Sequence, residues 1–127
     1  MEVKTDTKEK FHVIRVKAPV LSANMAAELD LEFASHLKAS IKNIVVNFSG
    51  VDAVEEEAAE VLVRSQQKFY EAGASFVLCE LKADVEDFLD QKELLEMLNV
   101  TPTESEAWDI VQMEEMERDI LGSDFDD

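Results

Sequence analysis

The stretch Ile44-Val45-Val46-Asn47-Phe48-Ser49-Gly50-Val51-Asp52-Ala53-Val54-Glu55-Glu56-Glu57-Ala58 decides the fold. Ile44, Val45 and Val46 are an unbroken β-branched run inside the segment Asn43 to Phe48. A strand without polar alternation is buried on both faces, as in a parallel sheet covered by helices. Gly50 predicts a turn after that strand. Beyond it, Ala58, Val61, Leu62, Ser65 and Phe69 follow the helical period, so a helix is expected from Glu55 to Ala72. Gly73 then sits where a left-handed C-terminal cap belongs.

Toward the N-terminus, Val3, Thr5 and Thr7 alternate with polar residues, and Lys8-Glu9-Lys10 reads as a turn. Phe11 to Val16 is a second strand that Pro19 ends, giving an antiparallel hairpin. Ser22 or Asn24 can cap a helix whose buried face carries Met25, Leu29, Phe33 and Leu37. Toward the C-terminus, Ser75 to Cys79 is another short buried strand. Lys82 to Leu98 is one helix or two, and Val100-Thr101 is a short edge strand before Pro102. Thr103 and Glu106 form the capping box of a last helix, with Ala107, Ile110, Val111 and Met113 expected to face inward. The order is β-β-α-β-α-β-α-(β)-α, an α/β class with right-handed crossovers. The expected architecture is a single domain over residues 1–121: a mixed, mostly parallel sheet, an N-terminal antiparallel hairpin and about four helices. Residues 122–127 read as a disordered acidic tail.

Composition narrows the function. The chain has 127 residues, with 12 Lys and Arg against 29 Asp and Glu, a formal net charge of −17. Phosphate backbones are held by basic side chains, so this excess of carboxylate argues against nucleic acid. It argues equally against direct binding to anionic lipid. A partner would present a basic or apolar face. Cys79, the only cysteine, lies in the apolar run Phe76-Val77-Leu78-Cys79 and reads as a small buried hydrophobe. No membrane span or signal peptide is evident, so the expected location is cytoplasmic.

No catalytic motif emerges. Gly50, Gly73 and Gly122 are the only glycines and lie far apart, which excludes Gly-rich phosphate loops. His12 and His36 have no carboxylate at metalloprotease spacing. Tyr70 and Trp108 lie on amphipathic helices and read as packing residues, and the Met113, Met116, Ile120 stripe as core or a dimer seam and not a promiscuous groove. The reading is therefore not an enzyme, with no cofactor and no metal.

Several pieces together are similar to one family. The segment Ile44 to Phe48, then Ser49-Gly50-Val51-Asp52-Ala53-Val54 and Glu55-Glu56-Glu57-Ala58, resembles the STAS family, or anti-sigma-factor antagonists. There a strand of the form I-V-x-D-x-S precedes a G-V-x-x-V turn and the motif D-S-S-G. Ala72 to Leu78 (A-G-A-S-F-V-L) resembles the family's A-G-G-x-x-V-L. Thr101 to Trp108 is similar to the start of its last helix, and Met113 to Leu121 to an ending found in one bacterial branch of stand-alone members.

The resemblance implies a regulator of transcription or signalling that acts by protein–protein interaction. In the family the first Ser of D-S-S-G is phosphorylated by an anti-sigma kinase, which the unphosphorylated protein binds. Here Glu55 stands for the Asp, Glu56 for the phosphoacceptor Ser, Glu57 for the second Ser and Ala58 for the Gly. The usual phospho-switch is then absent, and a carboxylate copies a phosphate only in part. The bland reading is that three carboxylates simply complement a helix N-terminus, by about 0.3–1 kcal/mol each. A divalent-cation site is disfavoured, because neighbouring helix residues point apart. The expected partner surface is Glu55, Glu56, Glu57 and Ala58 with the loop carrying Ser22 and Asn24, facing a basic anti-sigma-factor or kinase-like protein. The alternative is an accessory subunit of a lipid-type ABC transport complex.

Overall fold

The computed structural model describes residues 1–125, with side chains as far as Ile120. Its elements are β1 (Glu2–Thr7), β2 (His12–Leu21), α1 (Ala26–His36), β3 (Ile44–Val54), α2 (Glu56–Glu71), β4 (Phe76–Cys79), α3 (Ala83–Gln91), β5 (Val100–Thr101) and α4 (Glu104–Phe125). Short 3-10 turns at Ala23–Met25 and Leu95–Met97 precede α1 and follow α3. The five strands form one sheet in the order β1-β2-β3-β4-β5. β1 is antiparallel to β2, and the remaining pairs are parallel.

The period-2 geometry of β3 explains the two layers. Ile44, Val46 and Phe48 enter the larger core with Leu29 and Phe33 of α1, Leu62 and Phe69 of α2, and Val85 and Leu89 of α3. Phe76 of β4 stacks edge-on against Phe33 and tilted against Phe69, both at 5.2 Å between ring centroids. Val45 points to the opposite face, where Phe11, Val13, Val77 and Cys79 pack under Ala107 and Val111 of α4. Three helices thus cover one face of the sheet, and α4 packs on the other.

The strand-to-helix logic holds, with α2 starting directly after β3 and Gly73 at φ +70° ending it. Several local expectations are corrected. Pro19 does not end β2, which runs on to Leu21. The β1 partner stops opposite Lys17, so Pro19 lies where no donor is needed on that side. Gly50 makes no turn; it lies inside β3, where the β2 register shifts between Arg15 and Lys17. A Cβ there would stand 2.9 Å from the carbonyl oxygen of Val16, so the glycine permits close strand approach. Lys82 to Leu98 resolves into α3 and the 3-10 turn, broken at Glu93 with φ 60°. Tyr70 is 77% exposed and packs into no core. Met113 also faces outward, and the Met113, Met116, Ile120 stripe is exposed at 56%, 63% and 58%, which removes its core reading. The helical backbone of α4 continues to Phe125, past the expected boundary at Leu121, while 126 and 127 of the expected tail lie outside the described residues.

Candidate functional site

The expected surface comes together through Glu55. Its backbone is extended, and its carbonyl accepts the first helical bond of α2 from the N–H of Ala59 at 3.0 Å. Its own N–H donates to the carbonyl of Leu21 at 2.9 Å. Its side chain does not cap α2. The Oε1 instead accepts the N–H of Ala23 at 2.8 Å. That donor opens the 3-10 turn before α1, so a carboxylate from another element caps it. Neither Ser22 nor Asn24 caps with its own side chain as expected: Ser22, just before the turn, forms no side-chain cap bond, and Asn24 lies within the turn. The Ser22–Asn24 loop and the start of α2 are therefore one continuous surface.

On it, Glu55, Glu56, Glu57 and Asn24 are exposed, Ser22 is half-buried, and Ala58 is buried beneath. Sequence reasoning missed the cations beside these carboxylates. Lys92, just after α3, lies 3.8 Å from Glu56, and Lys82 bonds Asp52 of β3. Both pairs are solvent-exposed, where an ion pair contributes about 0–1 kcal/mol. No local pattern links positions 56 and 92; the crossover from α2 through β4 to α3 does.

A second polar cluster ties α4 to the strands. Glu104 Oε1 accepts from Arg15 at 3.0 Å and from Asn47 at 3.0 Å. The N–H of Glu104 donates to Glu80 Oε2 at 2.8 Å, and Thr103 Oγ1 accepts the Glu106 N–H at 3.2 Å, one half of the expected capping box. Farther along, Asn43 donates to Glu115 at 2.9 Å and accepts the Ser75 N–H at 2.8 Å, with Arg118 bonding Asn43, Ser75 and Glu115. The Asn43 bond, ahead of Arg118, holds the Glu115 carboxyl below its ordinary value. Cys79 is buried, and desolvation, followed by the charges of Glu104 and Glu80, pushes its thiol up to about 12. A thiol so placed is unreactive at neutral pH.

His12 and His36, far apart in sequence, meet with ring centroids 4.9 Å apart. His12 Nδ1 is 2.9 Å from Thr7 Oγ1, and His36 Nε2 is 3.7 Å from Glu32. Burial and then the His12 charge lower the His36 pKa, partly opposed by Glu32. Among the described residues, no three His, Cys, Asp or Glu side chains converge as cation ligands would. Nor is any helix among them long and apolar enough to cross a membrane.

No curated protein sequence was found to match the chain. Its fold is shared with solved structures at low identity. An anti-sigma factor antagonist from Mycobacterium paratuberculosis aligns at TM-score 0.76 and 14% identity, over 87% of this chain and 93% of that one. The anti-sigma factor antagonist SpoIIAA in its unphosphorylated form aligns at TM-score 0.70 and 14% identity, over 87% and 96%. The murine anion transporter Slc26a9 aligns at TM-score 0.67 and 17% identity, over 82% of this chain and 18% of the transporter. The sequence itself matches the STAS domain model over residues 2–107, and the chain belongs to the STAS domain family.

Proposed function

We propose that the chain is a non-catalytic protein-interaction module of the anti-sigma-factor-antagonist kind, acting in signalling or transcriptional control without the usual phospho-switch. The observation that carries this is the bond from the Ala23 N–H to Glu55, which joins the Ser22–Asn24 loop to the exposed start of α2. Glu55, Glu56, Glu57 and Ala58 occupy the place of D-S-S-G, so position 56 offers a carboxylate and no hydroxyl. The partner is a protein with a basic face, and Glu56 is one of its contacts. Residues beyond Leu121, where the backbone of α4 continues to Phe125, are dispensable for folding.

The test mixes the full chain with a kinase-type anti-sigma factor and ATP. A stable complex and no phosphate at 55–57 by phosphopeptide mapping are expected. Absence of binding would remove the reading, and phosphate within 55–57 would remove the missing-switch part of it. Exposed Ser49 and half-buried Ser22 make residue-level mapping necessary.

The likeness to a domain of a transporter chain favours a second reading, an accessory subunit of a membrane transport complex. Co-purification with a permease, and not with a kinase, would select it.

A further inference from the structure

The solvent side of α4 carries three exposed apolar residues, Met113, Met116 and Ile120, at helical spacing. Exposed Glu106, Asp109, Glu117 and Asp119 surround them. From Glu104 to Ile120 the helix has one basic residue, Arg118, and its guanidinium is turned inward to Asn43 and Ser75. Beside the stripe, a cavity of about 510 Å³ opens between α4 and the β1–β2 turn, lined by Lys8, Lys10, Phe11, Trp108, Glu115 and Met116 among others. An apolar strip with an acidic rim and an adjoining pocket is suited to an amphipathic helix laid in a groove.

The geometry points to a second docking surface: the outer face of α4 binds a basic amphipathic helix of another protein, an apolar anchor of which fills the pocket beside Trp108. Charge complementarity selects this occupant. A second copy of the chain would set the same acidic rim against itself, at −17 per chain. Anionic lipid and nucleic acid would meet the same repulsion. The surface is separate from the Glu55–Ala58 end, because α2 packs in the larger core and α4 on the opposite face of the sheet. Two partners can therefore be held at once.

Trp108 is the sole tryptophan and lines the pocket, so its emission reports occupancy directly. The experiment titrates the full chain with a synthetic helix of about 15 residues bearing Leu at i, i+3 and i+7 and Lys flanks. A control peptide carries Glu in place of Lys. The basic peptide should shift Trp108 emission, bind more weakly as salt rises, and lose about tenfold or more in affinity to the Met113→Ser, Met116→Ser, Ile120→Ser triple variant. The Glu-flanked peptide should not bind. Unchanged urea melting of the triple variant shows the fold intact, as expected for side chains more than half exposed. Equal affinity of the basic peptide for wild type and triple variant would overturn the proposal, as would no binding to either. A wild-type dimer in sedimentation, lost in the triple variant, would assign the face to a second copy instead.

Discussion

Arg15 and Glu104 meet as a two-pronged pair, with Nη2 of Arg15 at 3.0 Å and 3.2 Å from the two carboxylate oxygens of Glu104. The same Oε1 also accepts from Asn47, so one carboxylate ties the start of α4 to β2 and β3. Removing it as Glu104→Ala strands Asn47, which is 7% exposed, and should cost about 1–3 kcal/mol. Glu104→Gln keeps an acceptor oxygen and should recover part of that loss. Urea unfolding of the two variants checks the order.

Gly50→Ala should destabilise the domain by about 1–3 kcal/mol, because the new methyl meets backbone. The oxygen of Val16, 2.9 Å from where that methyl would stand, cannot move without disturbing the register shift of β2 on β3. Gly73→Ala is strained for a different reason: space is open there, but φ is +70°. Thermal melts of both variants, with the Gly50 variant carrying a changed β-sheet amide I band, would separate strand contact from backbone conformation.

His36 should give the fold a pH dependence whose sign follows from its surroundings. Its folded-state value lies below the ordinary 6.5, through burial and then the His12 charge. The unfolded chain therefore binds the proton more readily. The contribution of His36 to stability is full above about 6.5 and is lost as pH falls through its folded-state value. In urea melts taken from about pH 7 to pH 5, His36→Gln should flatten that part of the profile. A profile unchanged by the substitution would exclude the assignment.

Glu55→Ala removes the acceptor of the Ala23 N–H without touching a core residue. Amide exchange at Ala23 should accelerate, while that of the buried β3 strand stays as it was. Partner binding should weaken with it, since the Ser22–Asn24 loop loses its anchor.

Glu56→Ser should weaken binding to a basic partner by about threefold or more, with the difference shrinking at high salt. Tighter binding would instead mean that Glu56 imitates a phosphate and keeps the domain off its partner. Lys92→Ala separates the two cases further, because it frees the Glu56 charge that Lys92 faces at 3.8 Å.

Much of this fold is legible in residues that do one thing only. Ile44, Val45 and Val46 are buried whichever face they point to, so their run marks a two-sided strand. Gly73 sits at positive φ, which few residues tolerate. Gly50 misleads because close backbone approach and a turn both call for glycine, and only the neighbouring strand distinguishes them. Pro19 misleads because its allowance depends on where β1 stops. At the candidate site, the carboxylates are legible from the motif, whereas their links to Ala23 and Lys92 depend on chain crossings that no local spacing encodes. The His12–His36 contact is hidden for the same reason.

With α4 as its cover among the described residues, one sheet face should open as a unit of its own. Among the described residues, Phe11, Val13, Val45, Val77 and Cys79 share their small core only with α4. Lifting α4 would break the Glu104 and Asn43 ties yet leave the larger core beneath α1, α2 and α3 intact. The one thiol of the chain lies under that hinge, so its rate of alkylation is a clock for the detachment of α4. A helical partner seated on the outside of α4 would slow that clock, and a chain unfolding only globally would run it at the rate of complete denaturation.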